Sequence, residues 1–384
     1  VKPAALPNVV ALAIVTAVAP LTYTIFPPMI EVAARDLATP LSVLQYGLSL
    51  YLFVFAVSQP LYGPLSDRLG RRRPLLVGLA IYTLASLACA LAPDAGLLNL
   101  ARAVQAVGVC AGLVIARAIV RDAFGARAPT VLAYIIGAMA IGPAIGSIAG
   151  GLLGDWLGWR IVFWLLSGYG VLIFAVAWWA IPEPVSRQGA GASWGAIFTQ
   201  YGRLMVNGRF LLYALCGACH YATFYAFLTG APYVMGTLGG LTPSAYALWF
   251  ALFPVTFSIF GLTGGFLSKR LDHRFLIMLG NWLSVVIGVA MIVVWHSPLP
   301  EVAMLIGAMI LLSAVQGLML ALTIGVAVGL NPRIAGSASG LIGFIHMGCS
   351  AVAVAGVGVL DDGTSWPVTI VVAVLAILPP FLWL

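Results

Sequence analysis

Charge is what this sequence has least of. Asp, Glu, Lys and Arg make up 8% of its 384 residues, against about 25% in a soluble domain. With 62% of the residues hydrophobic, a water-facing surface cannot be built, so a soluble domain is excluded and the chain is expected in a lipid bilayer. Acid is the scarcer sign, 11 residues against 18 Lys and Arg. The excess of base is spread over short loops and forms no basic face, which excludes a nucleic-acid partner. Cysteines number five, all inside apolar runs, so no disulfide framework is expected. Cys216 and Cys219 stand at helical i, i+3 spacing, which reads as small core residues and not as a metal site. No cofactor is implied. The sequence has no His/Glu zinc motif, no nucleophile elbow, no phosphate loop and no sizeable polar domain. An enzyme or a signalling receptor is therefore not expected.

What is present is a succession of long apolar runs. A hydrocarbon core about 30 Å thick takes about 20 residues of helix. Cutting wherever charge or Pro/Gly clusters interrupt gives twelve spans, near 6–29, 43–65, 74–92, 96–120, 129–154, 161–181, 209–235, 244–267, 275–295, 301–328, 334–360 and 365–384. The stretch before the first apolar run lacks a small-residue cleavage site, so that run is read as a retained span. One long polar interruption divides the chain into 1–182, a linker 183–208, and 209–384. The expectation is an all-α membrane protein of twelve transmembrane helices in two pseudo-symmetric six-helix bundles.

With the N-terminus inside, the inner loops hold Lys2, Arg68, Arg71, Arg72, Arg73, Arg121, Arg127, Arg187, Arg203, Arg209, Lys269, Arg270, Arg274 and Arg333. The outer loops hold only Arg35 and Arg160. Positive charge follows the cytoplasm, which places both termini there, in a cell's inner membrane. The densest cluster, "GPLSDRLGRRR" from Gly63 to Arg73, returns in degraded form as "GFLSKRLDHR" from Gly265 to Arg274. Both follow the second helix of a half, as a parallel duplication would place them.

Three stretches carry chemistry. In the first cluster, Gly63 would permit close helix approach. Asp67 can meet a helix N-terminus. In "ARAVQAVGVCAGLVIARAIVRD", Arg102 and Arg117 are arginines inside a span, expensive enough to suggest function. They lie about 60° apart around the helix and about 22 Å apart along it. Arg117 reads either as facing the interior or as reaching back to the headgroups. In "GAMAIGPAIGSIAGG", small residues allow helix contact and Pro143 interrupts the backbone ladder.

These stretches together resemble the major facilitator superfamily, in particular its twelve-helix drug:proton antiporters of the bicyclomycin/chloramphenicol-resistance type. The resemblance implies a latch between halves at Gly63, Asp67, Arg68, Gly70, Arg71 and Arg72, in which Asp67 meets the start of the eleventh helix near Ala335; a pure topology signal is the plainer alternative. It implies a coupling or substrate motif at Arg102 and Gln105, against a structural hydrogen-bonding role for Arg102. It also implies an antiporter motif at Gly142, Pro143, Gly146 and Gly150, with Ser147 in place of a glycine. "GWRIVFW", "FYAFLTGAPYVM", "AGSASGLIGF" and Gln45 at the start of the second span support the same branch.

One departure matters. That branch carries an Asp in its first helix four residues before a Pro, and Tyr23 stands there instead. No acid falls in the middle of a span, so His220 and His346, each about 16 Å deep, are the remaining titratable candidates. Tyr23 is a candidate cavity residue. The expected function is export of small amphiphilic molecules by alternating access, in exchange for protons, by a monomer in the bilayer. The alternative is a carrier without proton coupling, whose Arg102 and Arg117 favour an anionic metabolite.

Overall fold

The computed structural model describes residues 7–183, 194–268, 270–296, 301–330 and 335–383. Lys2, Arg187, Lys269 and Arg333 lie outside the described residues. Among those described there is helix and no strand, as a chain that must satisfy its own backbone in lipid requires.

The first membrane segment is built in pieces. Asn8 starts α1 (Val9–Thr16) by accepting from the backbone N–H of Val10 at 2.8 Å, which satisfies a donor the helix cannot. Then come α2 (Val18–Thr24), a 3₁₀ turn at Pro27–Met29, and α3 (Ile30–Asp36). Pro27 and Pro28 offer no N–H to the helix ladder, so the axis breaks there without ending the segment. The sequence reading stopped this span near residue 29. The structure carries it to Asp36, and Glu31 thereby belongs to a helix and not to a loop.

Five helices complete the first group: α4 (Leu41–Leu69), α5 (Arg72–Ala90), α6 (Ala95–Phe124), α7 (Ala128–Leu157) and α8 (Arg160–Ala180). A short helix, α9 (Trp194–Met205), occupies part of the expected linker. The second group is α10 (Gly208–Tyr233), extended by a π turn at Val234–Leu238, then α11 (Pro243–Leu267), α12 (His273–Trp295), α13 (Glu301–Gly329), α14 (Ala335–Val359) and α15 (Trp366–Phe381). Ten segments are long and apolar enough to cross a membrane. The 30-residue α7 and the 16-residue α15 make up the expected twelve. Asp94 and Thr242 cap α6 and α11 through their side chains, at 2.8 Å and 3.2 Å. The polar residues that interrupt the apolar runs thus also start the helices.

Packing within each group rests on side chains small enough to let backbones meet. A Cβ on Gly108 of α6 would stand 2.4 Å from the backbone nitrogen of Tyr82 in α5, so only glycine allows these helices to sit so close. Helix α6 is the most enclosed element, with most of its residues buried. By contrast α11 and α12 turn Leu262, Phe266, Trp282, Val286 and Val293 outward, as lipid-facing surfaces do. The groups join along α4 against α14, α7 against α11, and α10 against the end of the first segment. The α4–α5 and α11–α12 turns, which hold the two copies of the repeated motif, lie on the same side of the molecule, here the arginine-rich end.

Candidate functional site

Arg102 is 1% exposed. One guanidinium nitrogen donates to Gln105 Oε1 at 3.2 Å and toward the Thr22 carbonyl at 3.5 Å. Gln105 in turn donates to Ser86 at 2.8 Å, and Ser86 to the Tyr82 carbonyl. The cation lies 4.7 Å from the ring centre of Tyr51, 5.2 Å from Phe26 and 5.7 Å from Phe163. Three aromatic faces and two oxygens stand in for the absent carboxylate. The arrangement ties α2, α4, α5, α6 and α8 together inside the first group. Its Nη2 is buried without a partner, as are the hydroxyls of neighbouring Tyr23 and Tyr51.

At the arginine-rich end, the turn between α4 and α5 is a knot of charge. Arg71 pairs across the turn with Asp67 of α4, with Asp122 of α6 at 2.8 Å, and donates to Ser66. Gly70 takes φ +85°, a conformation that favours glycine, and a Cβ there would meet the Glu183 carboxylate at 2.8 Å. That carboxylate accepts from the backbone N–H groups of Arg71 and Arg72, at 2.7 Å and 2.9 Å. An anion at a helix N-terminus is favoured by both the free donors and the dipole. Arg72 lies against Trp178 and donates to the Ile181 carbonyl. Tyr201 of α9 donates to the Pro60 carbonyl at 3.3 Å. Its phenol is pushed up by burial first and by the nearby Asp67 second.

Two expectations change here. No atom lies within 4 Å of a Cβ on Gly63, so close helix approach is not what this glycine provides. The expected meeting of Asp67 with the start of α14 falls beside 331–334, outside the described residues. Arg68 is exposed at the end of α4. Glu183 went unnoticed in the sequence because its partners are backbone groups 111 and 112 residues away. Exchanging it for Gln removes the charge and one acceptor, and is expected to cost about 1 kcal/mol. Thermal unfolding of the purified Glu183→Gln protein, a few degrees below the parent, checks this.

The glycines of α7 face the first segment. A Cβ on Gly142 would meet Pro20 at 3.0 Å, one on Gly146 the Thr24 hydroxyl at 2.4 Å, and one on Gly150 the Ile25 carbonyl oxygen at 1.9 Å. Pro143 lies within an unbroken α7 and Ser147 is fully buried. On the next residue, a Cβ on Gly151 would meet Pro243 and Ala247 of α11 at 2.6 Å. The Asp155 carboxylate accepts from the Ser244 N–H at 3.0 Å, and Glu31 accepts from the Thr237 hydroxyl at 2.8 Å. These contacts join the two groups at the arginine-poor end. Beside them is a cavity of about 300 Å³ lined by Glu31, Arg35, Tyr233 and Thr237. Gln45, at the same end, is buried beside Gly358.

Between the groups, Tyr23 packs against Tyr225 with ring centres 4.6 Å apart. Tyr225 continues to Tyr221 at 5.6 Å, and Tyr221 lies over His346 at 5.3 Å. Phe224 meets Phe253 at 4.5 Å and Phe250 at 5.9 Å, so an aromatic wall runs from α10 to α11. Arg117 is exposed on α6. His220 turns the other way. It is 1% exposed, bonds Asn281 at 3.1 Å, and its carbonyl accepts from Gln316. The structure therefore brings Tyr23 to the boundary between groups, and keeps Arg102, Gln105, His220 and His346 inside their own.

A family model described as Major Facilitator Superfamily matches residues 12–229, more than half of the chain. The chain belongs to the Major Facilitator Superfamily. It is a multi-pass membrane transporter and not an enzyme. A chloramphenicol resistance protein of Pseudomonas aeruginosa is 36% identical over 226 residues, covering 58% of this chain and 53% of that protein. The match thus spans about half of that relative's length. Multidrug resistance protein D of Escherichia coli K12 is 31% identical, over 72% of this chain and 68% of its own. An uncharacterized transporter of this superfamily, YdgK of Bacillus subtilis, is 28% identical over 94% of this chain and 90% of that one. Among solved structures, a D-xylose–proton symporter superposes with TM-score 0.78 at 15% identity, covering 98% and 96% of the two chains. That likeness shows the superfamily fold.

Proposed function

We propose that this chain exports small amphiphilic organic molecules across a bacterial inner membrane, in exchange for protons, as a drug-efflux carrier of the bicyclomycin/chloramphenicol-resistance type. The observation that carries the reading is the close packing of α7 on α2 and the adjoining Ile25 through Gly142, Gly146 and Gly150, in a superfamily member related to chloramphenicol and multidrug resistance proteins. Residues 1–182 and 209–384 act as two rocking halves joined by 183–208, and a monomer suffices. Both termini are cytoplasmic, following the arginine distribution. With the arginine-poor end outside, the contacts at Glu31, Gly151 and Asp155 are a closed outer gate. Arg117, His346 and the aromatic wall then line the route from the cytoplasm.

Proton exchange needs a group that takes up a proton in one access state and releases it in the other. Tyr23 has displaced the usual acid, and His346, packed against Tyr221 of α10, is the group assigned to the task. His220 is enclosed by Asn281 and Gln316 and serves packing. The second reading, an anion carrier without proton coupling, is favoured by one observation: no carboxylate accompanies Arg117.

Expression in a host stripped of its own exporters tests export. Cells carrying the chain should accumulate less chloramphenicol than cells carrying none, and a collapsed proton gradient should abolish the difference. Equal accumulation in both would sink the reading. The gate makes a separate prediction. Asp155→Ala with Thr237→Val removes two cross-gate bonds of about 1 kcal/mol each, and should raise the outward-open population roughly 30-fold if they add. Labelling of a cysteine placed at Ala247 by a membrane-impermeant maleimide should accelerate accordingly.

A further inference from the structure

Glu31 stands where the two groups meet, and half of its carboxylate has no partner. The side chain is 12% exposed. Its Oε2 accepts from the Thr237 hydroxyl of the second group at 2.8 Å, and from Arg35, one turn on, at 3.3 Å. Its Oε1 is buried, and among the described residues no donor reaches it. The π turn at Val234–Leu238 closes on the same carboxylate. A Cβ on Gly236 would stand 3.2 Å from Oε2 and 3.3 Å from Oε1, so the second group comes within contact distance of both oxygens.

The charges nearby do little to hold an anion there. Arg35 is 77% exposed, and an ion pair so open to water is weak. Asp36 is engaged by Arg160 and Trp159. Helix α4, packed against α3, brings no charge before Asp67 at its far end. The second group brings acid: the Tyr233 hydroxyl donates to the Gly363 carbonyl at 2.9 Å, which sets the turn of Asp361 and Asp362 beside Tyr233, a wall of the Glu31 cavity. Asp155, the other acid of the gate, is held by the Ser244 N–H. An ionised carboxylate spreads its charge over both oxygens, and an enclosed oxygen without a donor is costly while charged. A proton on Oε1 removes that cost and leaves Oε2 accepting from Thr237. Opening reverses the balance. Parting α3 from the π turn gives both oxygens to water, which solvates the charge. The cavity of about 300 Å³, with Thr39, Tyr233 and Thr237 on its wall, has room for several waters at about 30 Å³ each.

We propose that Glu31 is the outer proton-binding residue of this carrier: a proton taken from the outer side onto Oε1 closes the outer gate, and its loss lets the gate open. The proton comes from external water while the gate is open, an O–H bond forms on Oε1, and closure encloses it. Because the closed form holds the proton more tightly, the open-to-closed ratio rises with pH. External acid then favours return of the emptied carrier to the form that faces the cytoplasm. The inference rests on the outer-gate reading above. Its test needs neither substrate nor a gradient, so export and proton exchange can fail while it holds, and the reverse.

The probe is the distance between spin labels on cysteines placed at Leu91 and Leu360, exposed residues at the outer ends of the two groups. The full chain is held in phosphatidylcholine nanodiscs without substrate, and the chain lacking the two new cysteines is the blank. The open-to-closed ratio should rise at least about fivefold from about pH 5 to about pH 8. Glu31→Gln, permanently neutral, should stay closed throughout, and Glu31→Asp, which keeps a titratable group, should keep a pH dependence. Glu301→Gln, at the start of α13 on the same face, should behave as the parent. Infrared difference spectra of the parent minus Glu31→Gln at about pH 6, where an ordinary glutamate is ionised, should show the carbonyl stretch of a protonated carboxylic acid. A distance indifferent to pH, a dependence that persists in Glu31→Gln, or the absence of that band would overturn the proposal. So would Glu31→Gln resting open, because the charge itself would then hold the gate shut.

Discussion

Arg102→Gln is expected to yield a protein that unfolds several kilocalories per mole more easily and transports nothing. The guanidinium is fully enclosed, and every polar atom it serves is enclosed with it. Removing it leaves the Thr22 carbonyl without that donor and Gln105 Oε1 with no described partner. A buried polar group stripped of its partner costs about 1–3 kcal/mol. The loss of contact with Tyr51, Phe26 and Phe163 adds about 1–2 kcal/mol of cation–π attraction in a desolvated site. Arg102→Lys should not rescue, since an ammonium is a point charge that cannot lie flat against three rings while reaching Gln105. Thermal unfolding of the purified variants measures this. A Gln variant as stable as the parent would show that the enclosed cation holds nothing together.

The second large effect concerns Gly150. Its missing Cβ lets α7 touch the Ile25 backbone, where a methyl group would be 1.9 Å from the carbonyl oxygen and 2.8 Å from its carbon. Backbone cannot swing aside as a side-chain tip can, so even Gly150→Ala forces the helices apart. Overpacking in a well-filled interior typically costs about 1–3 kcal/mol, and a clash this close belongs at or beyond the top of that range. The displaced α7 also carries Gly151 and Asp155, which meet α11 one and five residues later, so the outer gate should fail to close. Gly63→Ala is the contrast. It has open space around it, and alanine suits a helix better than glycine by up to about 1 kcal/mol. Melting temperatures should therefore fall steeply for Gly150→Ala and hold or rise for Gly63→Ala. The opposite order would refute the steric account of both glycines.

Much of this architecture was legible in the sequence, for physical reasons that differ from element to element. The membrane fixes the length of a helix that crosses it, so apolar runs gave boundaries for α10 and α13 within a residue or two. The end of the first segment was misplaced because Pro27 and Pro28 read as a stop, whereas lipid and neighbouring helices hold the chain helical beyond a local break. Arg102 was recognisable as costly from its position alone. Its partners were not, because a backbone carbonyl such as that of Thr22 has no sequence signature. Glu31 escaped notice for the same reason that placed it in a loop: only the continuation of helix through Ile30 brings it against Thr237. Arg117 was left between two orientations, because helical spacing gives the face on which a side chain sits and not the way a long side chain bends along the axis.

The central claim, proton-driven export, is tested most directly in proteoliposomes loaded with a pH-sensitive dye and given labelled chloramphenicol on the cytoplasm-facing side. The account predicts that chloramphenicol moves against its gradient when the opposite side is acidic, that protons move the other way with it, and that His346→Ala uncouples the two while the substrate still crosses. Chloramphenicol that only equilibrates, indifferent to an imposed pH gradient and without proton movement, would contradict it.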